Sequence, residues 1–223
     1  MSADVAPPGD ISTSAPSPTP PPRPSLSLRH YNTLAVATIL GATGMVSAGY
    51  IAVAVFPIVY LHFLSKVAFP PESSGAPPLV YSRSKNKVLG PYIFAAAVVG
   101  LYLPTAYILD GIISGDKDGI TAAVPHLFLL SAQVFMEGAS YVSGFSLPVR
   151  AFVPVFYNSV RIPTILEWLA VEFSKDGTGR RIYAGRGLAV VNFALWSFNL
   201  FGFLLPFYLP KTCKLYYSKF KGS

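Results

Sequence analysis

The chain has 223 residues, 52% hydrophobic and only 12% charged, with a formal net charge of +7. Soluble domains are about 25% charged, so this composition lacks the polar surface of a water-soluble globule and points to a membrane protein. One cysteine and three histidines exclude an internal disulfide framework and a cysteine-based zinc site; the basic balance suits anionic headgroups at least as well as nucleic acid.

Residues 1–28 form a separate zone, with eight prolines in the first 24 positions. Proline holds the backbone near polyproline II and removes donors. With almost nothing to bury, this zone is expected to be a disordered tail. Residues 34–61 are apolar and carry no formal charge. As one helix they would extend about 42 Å, against about 30 Å of hydrocarbon, which suits one tilted span. Pro57 is expected to kink its end. Residues 65–88 read as a loop with the basic run Arg83, Lys85 and Lys87.

A second apolar stretch covers 89–109, with Pro91 in a first turn and Pro104 as a kink. Asp110–Gly119 reads as a tight turn between antiparallel helices. A third span is expected within 120–147 and a fourth at 188–209, before a basic tail at 216–223. Between them, 151–187 reads as a connection with a short helix at 163–175. Ile162, Ile165, Leu166, Leu169, Ala170 and Phe173 share one face there, a pattern suited to the membrane interface or to the end of a bundle. The predicted fold is thus all-α: a four-span integral membrane bundle over 29–215 with a Pro-rich N-terminal tail.

Few polar groups fall inside these spans. His126, Gln133 and Glu137 lie on one stripe of the third span, at steps of seven and four. An ionised carboxylate in a span is costly, so Glu137 is expected to face protein or water. Asn192 and Asn199, seven apart in the last span, form a second stripe. A carboxyl facing an amide is a satisfiable buried pair, so the two stripes are expected to meet. The first span carries Ala37, Gly41, Gly44, Ala48 and Ala52 at close spacing, a face that lets helices approach, either within the chain or between membrane proteins.

The remaining signals lie outside the spans. Arg180, Arg181 and Arg186 are expected at lipid headgroups. Lys219 and Lys221, five and three residues from the end, match a dilysine retrieval pattern for the endoplasmic reticulum. Cys213, just past the last span, is a candidate palmitoylation site. Gly177-Thr178-Gly179 lacks the strand, lysine and hydroxyl of a phosphate loop. No Gly-x-Ser-x-Gly elbow, paired histidines or acidic cluster is present, so neither an enzyme nor a cofactor site is expected, and nucleic-acid binding has no recognition module. With four spans, seven Lys and Arg fall on the side of the tails and ten on the other. That balance places the tails outside, whereas the dilysine pattern needs them in the cytosol.

Val155-Phe156-Tyr157-Asn158-Ser159, Arg180-Arg181-Ile182-Tyr183, the run Trp196 to Phe203 and Pro206-Phe207-Tyr208-Leu209-Pro210 resemble a plant family of multi-pass membrane proteins known only as a domain of unknown function. The resemblance covers roughly residues 30–220 and implies a plant origin and a membrane location. It implies no activity, ligand or site residue. The function expected is a non-catalytic scaffold or accessory component of an endomembrane; the alternative is a small transporter or channel using the stripe around Glu137.

Overall fold

The computed structural model describes residues 24–71 and 89–220, and their regular structure is all helical. The Pro-rich zone up to residue 23 and the basic run at 83–87 lie outside the described residues. Two helices, α1 (Leu28–Ala42) and α2 (Ala48–Val67), divide the apolar run expected as a single span at 34–61. Gly44 makes the break: its φ of 75° is left-handed, a conformation L side chains avoid. Ser47 then starts α2 by accepting a hydrogen bond from the Tyr50 amide. Pro57 sits inside α2 rather than ending it. One turn earlier, the Tyr157 hydroxyl donates to the Ala54 carbonyl at 2.7 Å and ties the helix to the core.

The next rod is α3 (Leu89–Ala97), a π-helical turn at Val98–Tyr102 and α4 (Leu103–Ser114). Asp116 caps α5 (Lys117–Val142) by accepting from the Gly119 amide at 3.0 Å. A short turn leads to α6 (Leu147–Ser174), and a final rod joins α7 (Arg180–Ser197), a π-helical segment at Phe198–Tyr208 and α8 (Leu209–Phe220). Four helices are long and apolar enough to cross a membrane, at Ala48–Val67, Gly90–Ser114, Lys117–Val142 and Arg180–Ser218. That is the number expected, with different bounds. The third ends at Val142 rather than 147. The fourth begins before 188, and most of the basic tail expected at 216–223 is the helical end of α8. The short helix expected at 163–175 is the second half of α6, which runs on through Pro154 and Pro163.

α5 is the central helix and is buried along most of its length. α6 lies antiparallel beside it from end to end. At the start of α6, Ser146 donates to the Phe69 carbonyl at 2.9 Å, and the Tyr216 hydroxyl donates to Pro70 at 3.2 Å. This is the tail end of the bundle, where His30 also packs against Gly138. At the far end of α6, Lys175 lies 2.9 Å from Asp116; this is the turn end. α1 descends from the tail end until Gly41 meets Phe128, and α2 returns.

Candidate functional site in the α5–α6 seam

Proline 104 sets up the middle of the site. Its missing N–H would otherwise close on the carbonyl of Gly100 in an α-helix, or of Val99 in a π-turn. Both carbonyls are instead satisfied from neighbouring helices. His126 Nε2 donates to the Gly100 carbonyl at 3.1 Å, and Asn192 Nδ2 donates to the Val99 carbonyl at 3.0 Å. The first contact assigns the proton of the neutral imidazole to Nε2. Gly100 is required by packing: a Cβ there would lie 2.5 Å from the Trp196 ring.

The α6 wall of the seam is a stripe at steps of three and four. Asn158, Arg161, Ile165, Trp168 and Glu172 follow that spacing, and none has exposed surface. The Arg161 guanidinium lies 3.8 Å above the Trp196 ring, and Nη2 donates to the Asn158 amide oxygen. Its Nε and Nη1 have no protein partner, nor do His126 Nδ1, Asn158 Nδ2 and Trp168 Nε1. Trp168 and Trp196 bracket His126, with ring centroids 6.1 Å and 6.3 Å away. Toward the tail end, Gln133 Nε2 donates to Glu137 Oε1 at 2.8 Å, leaving Gln133 Oε1 unpartnered.

The turn end closes with a charge network that ties four helices together. The Tyr107 hydroxyl donates to Glu172 Oε1 at 2.5 Å, and Lys175 reaches the same oxygen at 2.8 Å. Lys175 also bridges Asp116 at 2.9 Å. Arg181 bridges Asp116 at 2.9 Å and Asp110 at 2.6 Å, and stacks 4.3 Å over the Tyr107 ring. Burial alone would raise the Asp116 pKa. Hydrogen bonds from Lys175, the Gly119 amide and Arg181 outweigh it and hold the carboxyl at about 2.

The expected site residues are therefore brought together only in part. His126, Gln133 and Glu137 share the seam. Asn192 faces the π-turn and Trp196, whose Nε1 donates to its Oδ1 at 3.2 Å. Asn199 accepts from the Tyr92 hydroxyl at 2.9 Å. Glu137 is thus held by Gln133 of its own helix rather than by either asparagine. Arg181 is clamped by aspartates, and Arg186 donates to the carbonyls of Glu172 at 3.0 Å and Lys175 at 2.6 Å, capping α6. Arg180 is exposed, as a headgroup contact would be. Cys213 is a free, half-buried thiol on α8, Lys219 lies in the last turn of that helix, and Lys221 is outside the described residues. Ala37 and Gly41 of the small-residue face pack within the chain, Gly41 against Phe128. Among the described residues, no group of three His, Cys, Asp or Glu side chains is placed to hold a metal.

Together, these helices define an all-α bundle, cross-linked through buried polar groups, in which four helices are long and apolar enough to cross a membrane. The chain belongs to the family described as a domain of unknown function, DUF7733, which matches residues 26–217. No curated protein and no solved structure matches it.

Proposed function

We propose that the protein is a non-catalytic multi-pass membrane component, a scaffold or accessory subunit of an endomembrane. The observation that carries this reading is how the seam uses its polarity. His126 and Asn192 satisfy carbonyls freed by a proline, Arg181 and Lys175 clamp helix ends, and Arg186 caps α6. Each such group holds one helix to another. Broad apolar faces remain for lipid or for helices of other membrane proteins: Phe94, Ile113, Val59 and Phe201 are all more than 60% exposed.

α6 crosses with the rest in this reading, because it covers the same axial distance as α5. Arg150 and Glu172 each lie eleven residues from Arg161, about 16 Å either way, so Arg161 is near the midplane of a layer about 30 Å thick. Both tails then belong to the tail end. By connectivity that end collects eleven of the chain's seventeen Lys and Arg. The positive-inside rule now places the tails in the cytosol, the side on which a dilysine pair at Lys219 and Lys221 is usable. The endoplasmic reticulum and a plant origin remain part of the proposal, resting on that pair and on the family resemblance.

The unpartnered atoms of Arg161, His126 and Gln133 favour a second reading, a small transporter whose path follows the seam through Glu137. Reconstitution into vesicles loaded with pH-sensitive and halide-sensitive dyes separates the two. The scaffold predicts leakage equal to protein-free vesicles, and cross-linking in native membranes to a stoichiometric membrane partner. Flux that Glu137→Gln abolishes without disturbing the fold would establish the transporter instead.

A further inference from the structure

Arg161 has no exposed surface and makes no ion pair among the described residues, where Lys175 and Arg181 are the cations that do. Its protein acceptor is the Asn158 amide oxygen, and its flank is the Trp196 ring, 3.8 Å from Cζ. Nε and Nη1 carry most of the guanidinium's N–H groups, and neither has a partner. Nor has Asn158 Nδ2, on the same amide that receives Nη2. Glu137 gives Oε1 to Gln133 of its own helix and makes no ion pair with Arg161. Water could serve the unpartnered acceptors of the seam, His126 Nδ1 and Gln133 Oε1, but it carries no charge. A buried cation is costly until it is both paired and fully hydrogen-bonded. An anion meets both needs at once: it accepts from the stranded N–H groups and neutralises the guanidinium. One guanidinium asks for one negative charge, and the complete burial of Arg161 and Asn158 asks for a small ion.

We propose that Arg161 and Asn158 form a buried site for a small monovalent anion of the chloride class. The ion accepts from the Arg161 guanidinium and from Asn158 Nδ2, beside the Trp196 ring, and is the countercharge that the α6 stripe lacks. The site rests on the burial of Arg161 and its stranded donors, and not on the scaffold reading.

The chain's two tryptophans, Trp168 and Trp196, are both buried in the seam, so its tryptophan fluorescence reports on this site. The full chain in a neutral detergent is titrated with iodide, a heavy-atom quencher, in place of gluconate at constant ionic strength. The expected result is quenching that saturates, is several-fold steeper than that by caesium, and is reversed by chloride. Trp168→Phe leaves Trp196 as the sole reporter and should keep the saturable component, since the guanidinium stacks on that ring. Arg161→Met combined with Asn158→Leu should abolish the saturable component with the helical circular dichroism unchanged. If that double variant misfolds, the wild-type and Trp168→Phe curves still decide. Quenching by iodide that is linear and no steeper than by caesium would show a seam holding water alone and overturn the proposal. So would saturable quenching that survives in the correctly folded double variant or disappears in a correctly folded Trp168→Phe. Saturable quenching found in Glu137→Gln but absent from wild type would make Glu137 the countercharge and overturn it too.

Discussion

Arg161 carries its charge into the middle of the bundle with one acceptor, the Asn158 amide oxygen, and one aromatic face, Trp196. A buried charge replaced together with its polar partner by apolar groups of similar volume is often neutral or stabilising. Arg161→Met combined with Asn158→Leu should therefore leave unfolding in detergent unchanged or raise its midpoint. Asn158→Leu should lower stability by about 1–3 kcal/mol, because the guanidinium loses its acceptor. At Glu137, Gln preserves size and much of the hydrogen bonding and should be mild. Glu137→Leu should cost about 1–3 kcal/mol by stranding the Gln133 amide. Asp116 makes the turn end sensitive to acid. Its folded pKa of about 2 lies below the ordinary 3.8, so its contribution is complete above about pH 4 and is lost as pH falls toward 2. The gap in thermal midpoint between wild type and Asp116→Asn should be constant above about pH 4 and close below it. Residue chemistry was half legible. His126 and Glu137 stand out as polar groups in an apolar run, but their partners do not: Pro104 marks a carbonyl freed at Gly100 and says nothing of which side chain fills it.

Pro104 and His126 belong to different helices and solve one problem between them. Removing the imidazole, as in His126→Phe, should cost about 1–3 kcal/mol by leaving a buried carbonyl unpaired. Pro104→Ala restores the missing N–H, so the same His126→Phe change should cost less in that background. A double-mutant cycle measures this coupling directly; equal costs in both backgrounds would show that the carbonyl does not need the histidine. Element boundaries show where sequence reading stops. The run 34–61 is apolar across the turn at Gly44, so hydropathy cannot register the break, although Ser47 marks a helix start. α6 was obscured for the opposite reason. Pro154 and Pro163 argue against one long helix, and Arg150, Arg161, Glu167 and Glu172 argue against a span. Yet Asn158, Arg161, Ile165, Trp168 and Glu172 keep strict helical spacing. Packing against α5 outweighs the local penalties, and every member of that stripe is buried.

At the scale of the molecule, composition was a sound guide to class: the low charge fraction announces helices suited to a membrane, and four such helices are present. Topology depends on α6. If α6 crosses with α5, the tails share the face richest in Lys and Arg. If it does not, the turns on either side of it share a face. Single-cysteine variants decide between these, in a Cys213→Ser background with Ser143→Cys before α6 or Asp176→Cys after it. Both positions are exposed in short connections. Sealed, oriented vesicles are treated with a membrane-impermeant maleimide, before and after permeabilisation. The account predicts that only one of the two sites is labelled in intact vesicles, with Ser143→Cys on the cytosolic side and Asp176→Cys labelled only from the other. Labelling of both sites from the same side would contradict it.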